Sequence, residues 1–460
     1  MHFWRVLNNT THWDYCKLFR RSGRCATLPD TSQSPQPALL RSLRRWDVIA
    51  VVLNGVIGAG IFGLPSRIYA LAGPYSLLSF AVCAVCVGFI VLSFAEVAGR
   101  FSSTGGPYLF ARESYGPVIG FGVGWLVWVA RVTSFAANCS LLPDYLGFFF
   151  PAAAAGRPRM MIVAAVVIAL GAINVRGVRA TADASNLFAA GKLLPLAVFV
   201  AAGFFFLDPA RFTLGDSPAY HAFSQSVMLL VYAFTGFEMA VIPAGEIRDP
   251  GRDVPRALLT GMVAVVIFYL AIQAVCIGTL PSLAQSQRPL ADAAARFLGP
   301  WGAVMITGGI LVSLAGNLNV LILAASRTLF AMSEGGALPA RLSAVHPRFR
   351  TPAAAVIATT TVMLALALSR TFLYLVTVST VARLVTYFAT CGALPLLRRR
   401  NPAASNPFRL RGGSYIAFAG MGLCVWLVTA ASLREARDAG IAAAAGMGIY
   451  ALYRSYTVRV

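Results

Sequence analysis

The sequence predicts an all-α, polytopic membrane protein. Three observations carry that expectation. Of its 460 residues 58% are hydrophobic and only 12% charged, about half the charged share of a soluble domain. The apolar residues gather in runs long enough to cross a bilayer core of about 30 Å. Twelve such runs lie near 46–72, 76–98, 118–142, 160–175, 187–207, 223–246, 256–279, 302–331, 353–369, 372–396, 414–432 and 438–454. They lack the alternation of a spanning β-barrel, so at membrane depth their backbone groups are satisfied only within helices.

Residues 1–45 hold Arg, Cys, Ser and Pro in no periodic order and no apolar core of signal-peptide length. They read as a disordered cytoplasmic tail; a start codon set upstream of the true one would leave the same pattern. The first run, "DVIAVVLNGVIGAGIFGLPSRIYALAG", contains GAGIFG, which fits G-x-G-x-x-G. A dinucleotide loop needs a strand before it and a soluble βαβ unit after it. Neither is here, and no cofactor is expected. Instead, glycines 55, 58, 60 and 63 with Pro65 sit inside a span where each Gly costs about 1 kcal/mol relative to Ala. The cluster is either a close-packing face or a break in the helix, tolerated where it lines protein or a wet cavity.

In the second run Cys83 and Cys86 form C-x-x-C. At i and i+3 in an apolar span they line one helix face, which fits packing rather than redox or zinc chemistry. Gly105-Gly106-Pro107 and Glu113 read as a loop before the third run, and Arg131 lies within that run. The fifth carries Lys192 in "NLFAAGKLLPLAVF", one of two Lys beside 36 Arg. Burial disfavours a charged amine, and Lys can release its proton where Arg cannot. Lys192 is therefore either a proton-coupling group or a fixed cation that tethers the fifth span to the broken first or reaches the interface.

The sixth run, "FSQSVMLLVYAFTGFEMAVIPAGEI", places Thr235, Gly236, Glu238 and Pro243 in mid-span. The first and sixth spans run in opposite directions, and paired interruptions in two oppositely oriented halves point to an inverted-repeat secondary transporter. The halves are expected at 46–207 and 223–396, within a core of 46–396, followed over 397–460 by a cytoplasmic loop and two extra helices. Free N–H groups at a half-helix start suit a carboxylate, and free carbonyls at a half-helix end suit an ammonium group. Glu238 either steadies the unwound segment or takes part in selection, with Arg131 as a candidate partner. Arg383, in the tenth run, is equally costly at that depth. "RRRNPAASNPFRLRGG", 398–413, reads as a solvated loop.

The formal charge of +21 first suggests nucleic acid, but its distribution speaks against that partner, and none is expected. With the N-terminus inside, 26 of the 38 basic residues face inward, nine face outward and three lie within spans. This is the positive-inside bias, and an even number of spans puts both termini in the cytoplasm.

The motifs resemble those of the amino acid–polyamine–organocation transporter superfamily. "GAGIFGLP" is similar to its Gly-(Ser/Thr)-Gly-Ile-Phe signature, with Ala59 where a hydroxyl residue is frequent. "YAFTGFEMAVIPAGEIRDPGRDVPRAL" resembles Phe-x-Gly-x-Glu followed by Glu-x-x-x-Pro-x-Arg-x-x-Pro, and "NLNVLILAASRTLFAMSEGGALPARLSAVHPRFRTP" matches the Ser-Arg, Phe-Ala-Met, Gly-x-Leu-Pro and His-Pro elements.

The resemblance implies a LeuT-like 5+5 inverted repeat with broken helices 1 and 6. Ile57, Gly58, Ala59, Gly60 and Ile61 would take the substrate carboxylate through backbone N–H groups. Phe234, Thr235 and Gly236 would offer carbonyls to the amine, Phe237 or a neighbouring ring would close the site, and Glu238 sits beside it. Lys192 is similar in place to a family lysine that substitutes for a sodium ion, and the loop around Gly105 to Glu113 would help gate access. The expected function is secondary transport of an amino acid or related amine across the cell (inner) membrane, by proton symport or exchange. A transporter-like sensor is the alternative. A pocket rich in Phe and Ala points to a neutral, apolar substrate. No Walker loop is present for ATP, and the four His (2, 12, 221, 346) form no metal pair that would suit an enzyme.

Overall fold

The computed structural model describes residues 39–368, 372–400, 407–429 and 433–457. Most of the expected tail, 1–38, lies outside the described residues. Within 39–44, Leu43 is anchored rather than tail-like: it is buried and forms a parallel bridge with Ile247. The described residues are helical with no strand beyond that bridge.

Each apolar run coincides with a helix or a pair of half-helices. The first is split into α1 (Arg45–Val56) and α2 (Ala59–Ala72). α3 (Ser76–Ala98) follows, then a short α4 (Pro107–Tyr115) where a loop was expected, and α5 (Pro117–Leu146). α6 (Gly156–Arg176) and α7 (Val178–Phe204) complete the first half. α8 (Tyr220–Phe234) gives way to 3-10 turns at Phe237–Val241 and Ala244–Glu246. Then come α9 (Pro250–Thr279), α10 (Pro289–Leu298), α11 (Pro300–Glu334), α12 (Ala353–Leu368), α13 (Phe372–Arg400), α14 (Gly413–Thr429) and α15 (Leu433–Thr457). Pro at the first position starts α4, α5, α9, α10 and α11, where its fixed φ fits and its missing N–H is not needed. Asp47 caps α1 by accepting from the Arg44 N–H at 2.8 Å.

Among the described residues, six helical stretches are long and apolar enough to cross a membrane: Gly60–Ala98, Pro117–Leu146, Gly156–Arg176, Val178–Phe204, Pro250–Thr279 and Pro300–Glu334. Ala353–Leu368 and Gly413–Val428 are shorter but equally apolar. The first and sixth runs are divided by their breaks. Leu187, Leu194, Val263, Ile267 and Ile357 face outward from α7, α9 and α12 at 58–70% exposure. Such a belt has no place in water and fits lipid. The chain is a multi-pass membrane protein.

α11 lies at the centre, buried almost without interruption from Ser313 to Ser333. It packs on α5 and α7, while α5 packs on α11 and α13, and α9 lies against α1 and α3. α5 also meets α12 as α11 meets α6. α14 lies against α3 and α13, and α15 against α5 and α13. Cys83 is buried and Cys86 half-buried, both as free thiols. The 398–413 loop is only partly described, and Arg398 is not solvated: it donates to both oxygens of buried Glu96 at 2.7 and 2.6 Å and to the Leu410 carbonyl.

Candidate functional site

Between α1 and α2, Ile57 (φ −74°, ψ 83°) and Gly58 (φ −115°, ψ −153°) leave the helical path. Their N–H groups are already engaged, with the Leu53 carbonyl at 2.9 Å and the Val56 carbonyl at 2.8 Å. Ala59, Gly60 and Ile61 open α2, so no preceding turn accepts from their N–H groups, and Gly58 has no side chain to cap them. The Ile57 carbonyl accepts from Lys192 Nζ at 2.7 Å and from Ser313 Oγ at 2.8 Å, and Lys192 also reaches the Ser313 carbonyl at 3.4 Å. Lys192 is fully buried. No carboxylate lies within 4 Å of it among the described residues. At the end of α1, Asn317 Nδ2 donates to the Asn54 and Gly55 carbonyls at 3.0 and 2.9 Å, and Asn317 Oδ1 accepts from Asn138 at 2.8 Å.

In the sixth span α8 stops at Phe234, and Gly236 turns the chain at φ +111°. That left-handed conformation favours Gly. A second reason requires glycines at both breaks: a Cβ on Gly55 would lie 2.5 Å from the Gly236 carbonyl oxygen. The two interruptions therefore touch through their backbones. Within the spans, Gly55 meets Gly236 and Gly60 meets Ala233. Numbers rise in one span as they fall in the other, so the two spans are antiparallel. The Tyr269 hydroxyl lies 3.1 Å from the Val56 carbonyl and 3.2 Å from the Ala233 carbonyl, joining the ends of α1 and α8.

Glu238 holds the sixth-span break together. Its Oε2 accepts from the Gly236 N–H at 2.9 Å and from the Tyr387 hydroxyl at 2.7 Å, and its Oε1 lies 3.4 Å from Arg131 Nη2. Phe234 packs on the ring of Tyr269, and Phe237 is buried between Phe94 and Tyr387.

A cavity of about 30 Å³ lies where the breaks meet, with Gly58, Gly60, Asn138, Thr235, Asn317 and Arg383 among its lining residues. Three of the residues expected at the site, Gly58, Gly60 and Thr235, line it. Phe237, Glu238 and Lys192 stand behind it and brace the backbone. No Phe lines it, so the expectation of a Phe- and Ala-rich pocket does not hold for this cavity. Asn54, Asn138, Asn317 and Tyr269 were not among the residues expected from sequence. A signal for them existed, because Asn inside an apolar span needs a hydrogen-bonding partner as surely as a charge does.

Toward the end of the molecule where α1 begins, the space between the spans is closed. Arg327 on α11 donates to both oxygens of Glu246 at 2.7 and 3.2 Å, with both side chains at 1% exposure or less. Leu43 N–H donates to the Glu246 carbonyl and the Arg248 N–H to the Leu43 carbonyl, each at 3.0 Å. Gly105 N–H donates to the Ile242 carbonyl at 2.9 Å, bringing the start of α4 under the broken sixth span.

Comparison with known proteins agrees with this geometry. A family model described as amino acid permease matches residues 43–441. An uncharacterized transporter of Mycobacterium tuberculosis is 34% identical over 334 residues, covering 72% of this chain and 74% of its own. The serine/threonine exchanger of Bacillus subtilis is 28% identical, covering 66% of this chain and 71% of its own. The methylthioribose transporter of the same organism is 24% identical, covering 86% and 90%. With the family match spanning most of its length and the breaks in its first and sixth spans touching, the chain belongs to the amino acid permeases of the amino acid–polyamine–organocation superfamily.

Proposed function

We propose that the protein is a secondary active transporter that carries an amino acid or related amine across the bacterial inner membrane, by proton symport or exchange, with both termini in the cytoplasm. The observation that carries the reading is the contact of Gly55 with Gly236, which puts the start of one half-helix and the ends of two others around one polar cavity. The substrate carboxylate takes the N–H groups at the start of α2, chiefly those of Ala59, Gly60 and Ile61, with Ile57 and Gly58 as the extended approach to them. The ammonium takes carbonyls at Phe234, Thr235 and Gly236. Neither partner needs a catalytic side chain, since both are main-chain dipoles.

The packing supports two inverted halves, 46–207 and 223–396. α5 meets α13 as α11 meets α7, and α5 meets α12 as α11 meets α6. These are the pairs that exchange when third and eighth, fourth and ninth, fifth and tenth spans are interchanged. Lys192 is the coupling group in this reading: a proton on its amine holds the Ile57 carbonyl, and its release frees the first-span break to move.

The test is uptake of labelled amino acids into proteoliposomes with an imposed pH gradient. Accumulation of unaltered substrate is expected, and binding without accumulation would make the chain a sensor instead. Lys192→Met is expected to abolish the dependence of uptake on pH between about 5 and 8; a retained pH profile would reduce Lys192 to a fixed tether.

A further inference from the structure

Arg383 of α13 is only 8% exposed and makes no ion pair within 4 Å among the described residues; Glu238 feels its charge only at longer range. Its Nη1 donates to Thr235 Oγ1 at 2.6 Å and its Nη2 to Ser134 Oγ at 2.7 Å. Ser134 is in turn 2.6 Å from Ser379 Oγ, which donates to the Ala130 carbonyl at 3.0 Å. Both acceptors of the guanidinium are thus neutral hydroxyls, and its Nε is buried without a partner. Glu238 is the nearby carboxylate, and its oxygens are taken by Arg131, Tyr387 and the Gly236 N–H. No carboxylate lies within 4 Å of Arg383 among the described residues. The cluster holds two guanidiniums for one carboxylate, whereas buried charges are ordinarily matched.

The surplus charge faces the site. Arg383 and Thr235 line the cavity at the breaks and also a second cavity of about 70 Å³, walled by Met228, Val231, Leu384, Tyr387 and Leu427. No residue of α1 or α2 lines that second space. The guanidinium therefore stands between the main-chain cradle and a side pocket lying away from the half-helix that would take the α-carboxylate.

We propose that Arg383 is the specificity-determining residue and that the substrate is an α-amino acid whose side chain carries a second carboxylate. The zwitterionic end occupies the cradle. The side chain extends toward the second cavity, where the planar guanidinium takes its carboxylate with two parallel hydrogen bonds. Thr235 and Ser134 hold the guanidinium in place until the substrate arrives, and the substrate anion brings the cluster to neutrality.

This inference rests on the transporter reading, and the experiment separates the two. Proteoliposomes of the full chain are offered labelled aspartate, glutamate, asparagine, glutamine, leucine and lysine. The intact protein is expected to accumulate aspartate or glutamate about 100-fold better than the matching amide, which meets the guanidinium with one neutral acceptor in place of a charge-assisted pair. Arg383→Gln is expected to reduce that ratio to near one, and Arg383→Lys, which keeps the charge, to retain part of it. Accumulation of amides, leucine or lysine in preference to the acids by the intact protein overturns the inference and leaves the transporter reading standing. Accumulation of none of the six, with binding only, overturns both. The intact-protein comparison stands even if the variants fail to fold.

Discussion

In the transport reading the proposed site is built of main chain and offers few side chains to recognise, so the residues that matter there are those that permit or hold a backbone shape. Gly55 is the sharpest example. Gly55→Ala places a methyl group 2.5 Å from the Gly236 carbonyl oxygen and 2.9 Å from Met239 Cε. Overpacking of that kind costs about 1–3 kcal/mol, and since it forces the breaks apart, uptake is expected to fall by at least about tenfold. Thermal unfolding in detergent reads the first effect and initial uptake rate the second. A variant with wild-type uptake would show that the two breaks need not touch. Asn317 does the reverse work: it donates to the carbonyls at the end of α1 and so holds that broken end in place.

Among the elements, the broken sixth span depends on ion pairs from its neighbours. Arg327→Leu strands the Glu246 carboxylate in a buried setting, a loss of about 3–5 kcal/mol, whereas the double Leu replacement is expected to recover most of it. Thermal unfolding of the two single variants and the double variant checks this, and additive losses would exclude the pairing. At this scale the sequence was most informative. Span positions followed from apolar run length, and the glycines at 55, 58 and 60 with Thr235-Gly236 marked both interruptions, because helix-weakening residues inside an apolar run have few other uses. The short helix α4 was hidden, since "PYLFARESY" is too brief and too polar to register as a run. What sequence could not supply was distance. Arg131, Arg383 and Glu238 are each conspicuous as charges in spans, yet 107 residues separate Arg131 from Glu238. Only packing shows that Glu238 touches Arg131 directly, while the hydrogen bonds of Arg383 go to hydroxyls.

For the whole molecule, the surplus of Arg on one side predicts its orientation. Cysteines introduced singly into a cysteine-free version at the C-terminus and in the Arg248–Arg252 turn are expected to resist an impermeant thiol reagent in intact cells and to react after lysis. Cysteines in the 208–218 connection are expected to react from outside. The inverse pattern would reverse the assignment of faces and with it the route of the substrate.

The bridge between Leu43 and Ile247 bears on how such a molecule avoids leaking. The strap that shuts this end is not part of any spanning helix: it is a few residues ahead of α1, fastened by two main-chain hydrogen bonds beside the Arg327–Glu246 pair. In the transport reading proposed above, passage toward that end requires unfastening all of these together, and the clasp is expected to limit how fast that end opens. A chain trimmed to begin after Leu43 would cycle faster and hold its gradient worse.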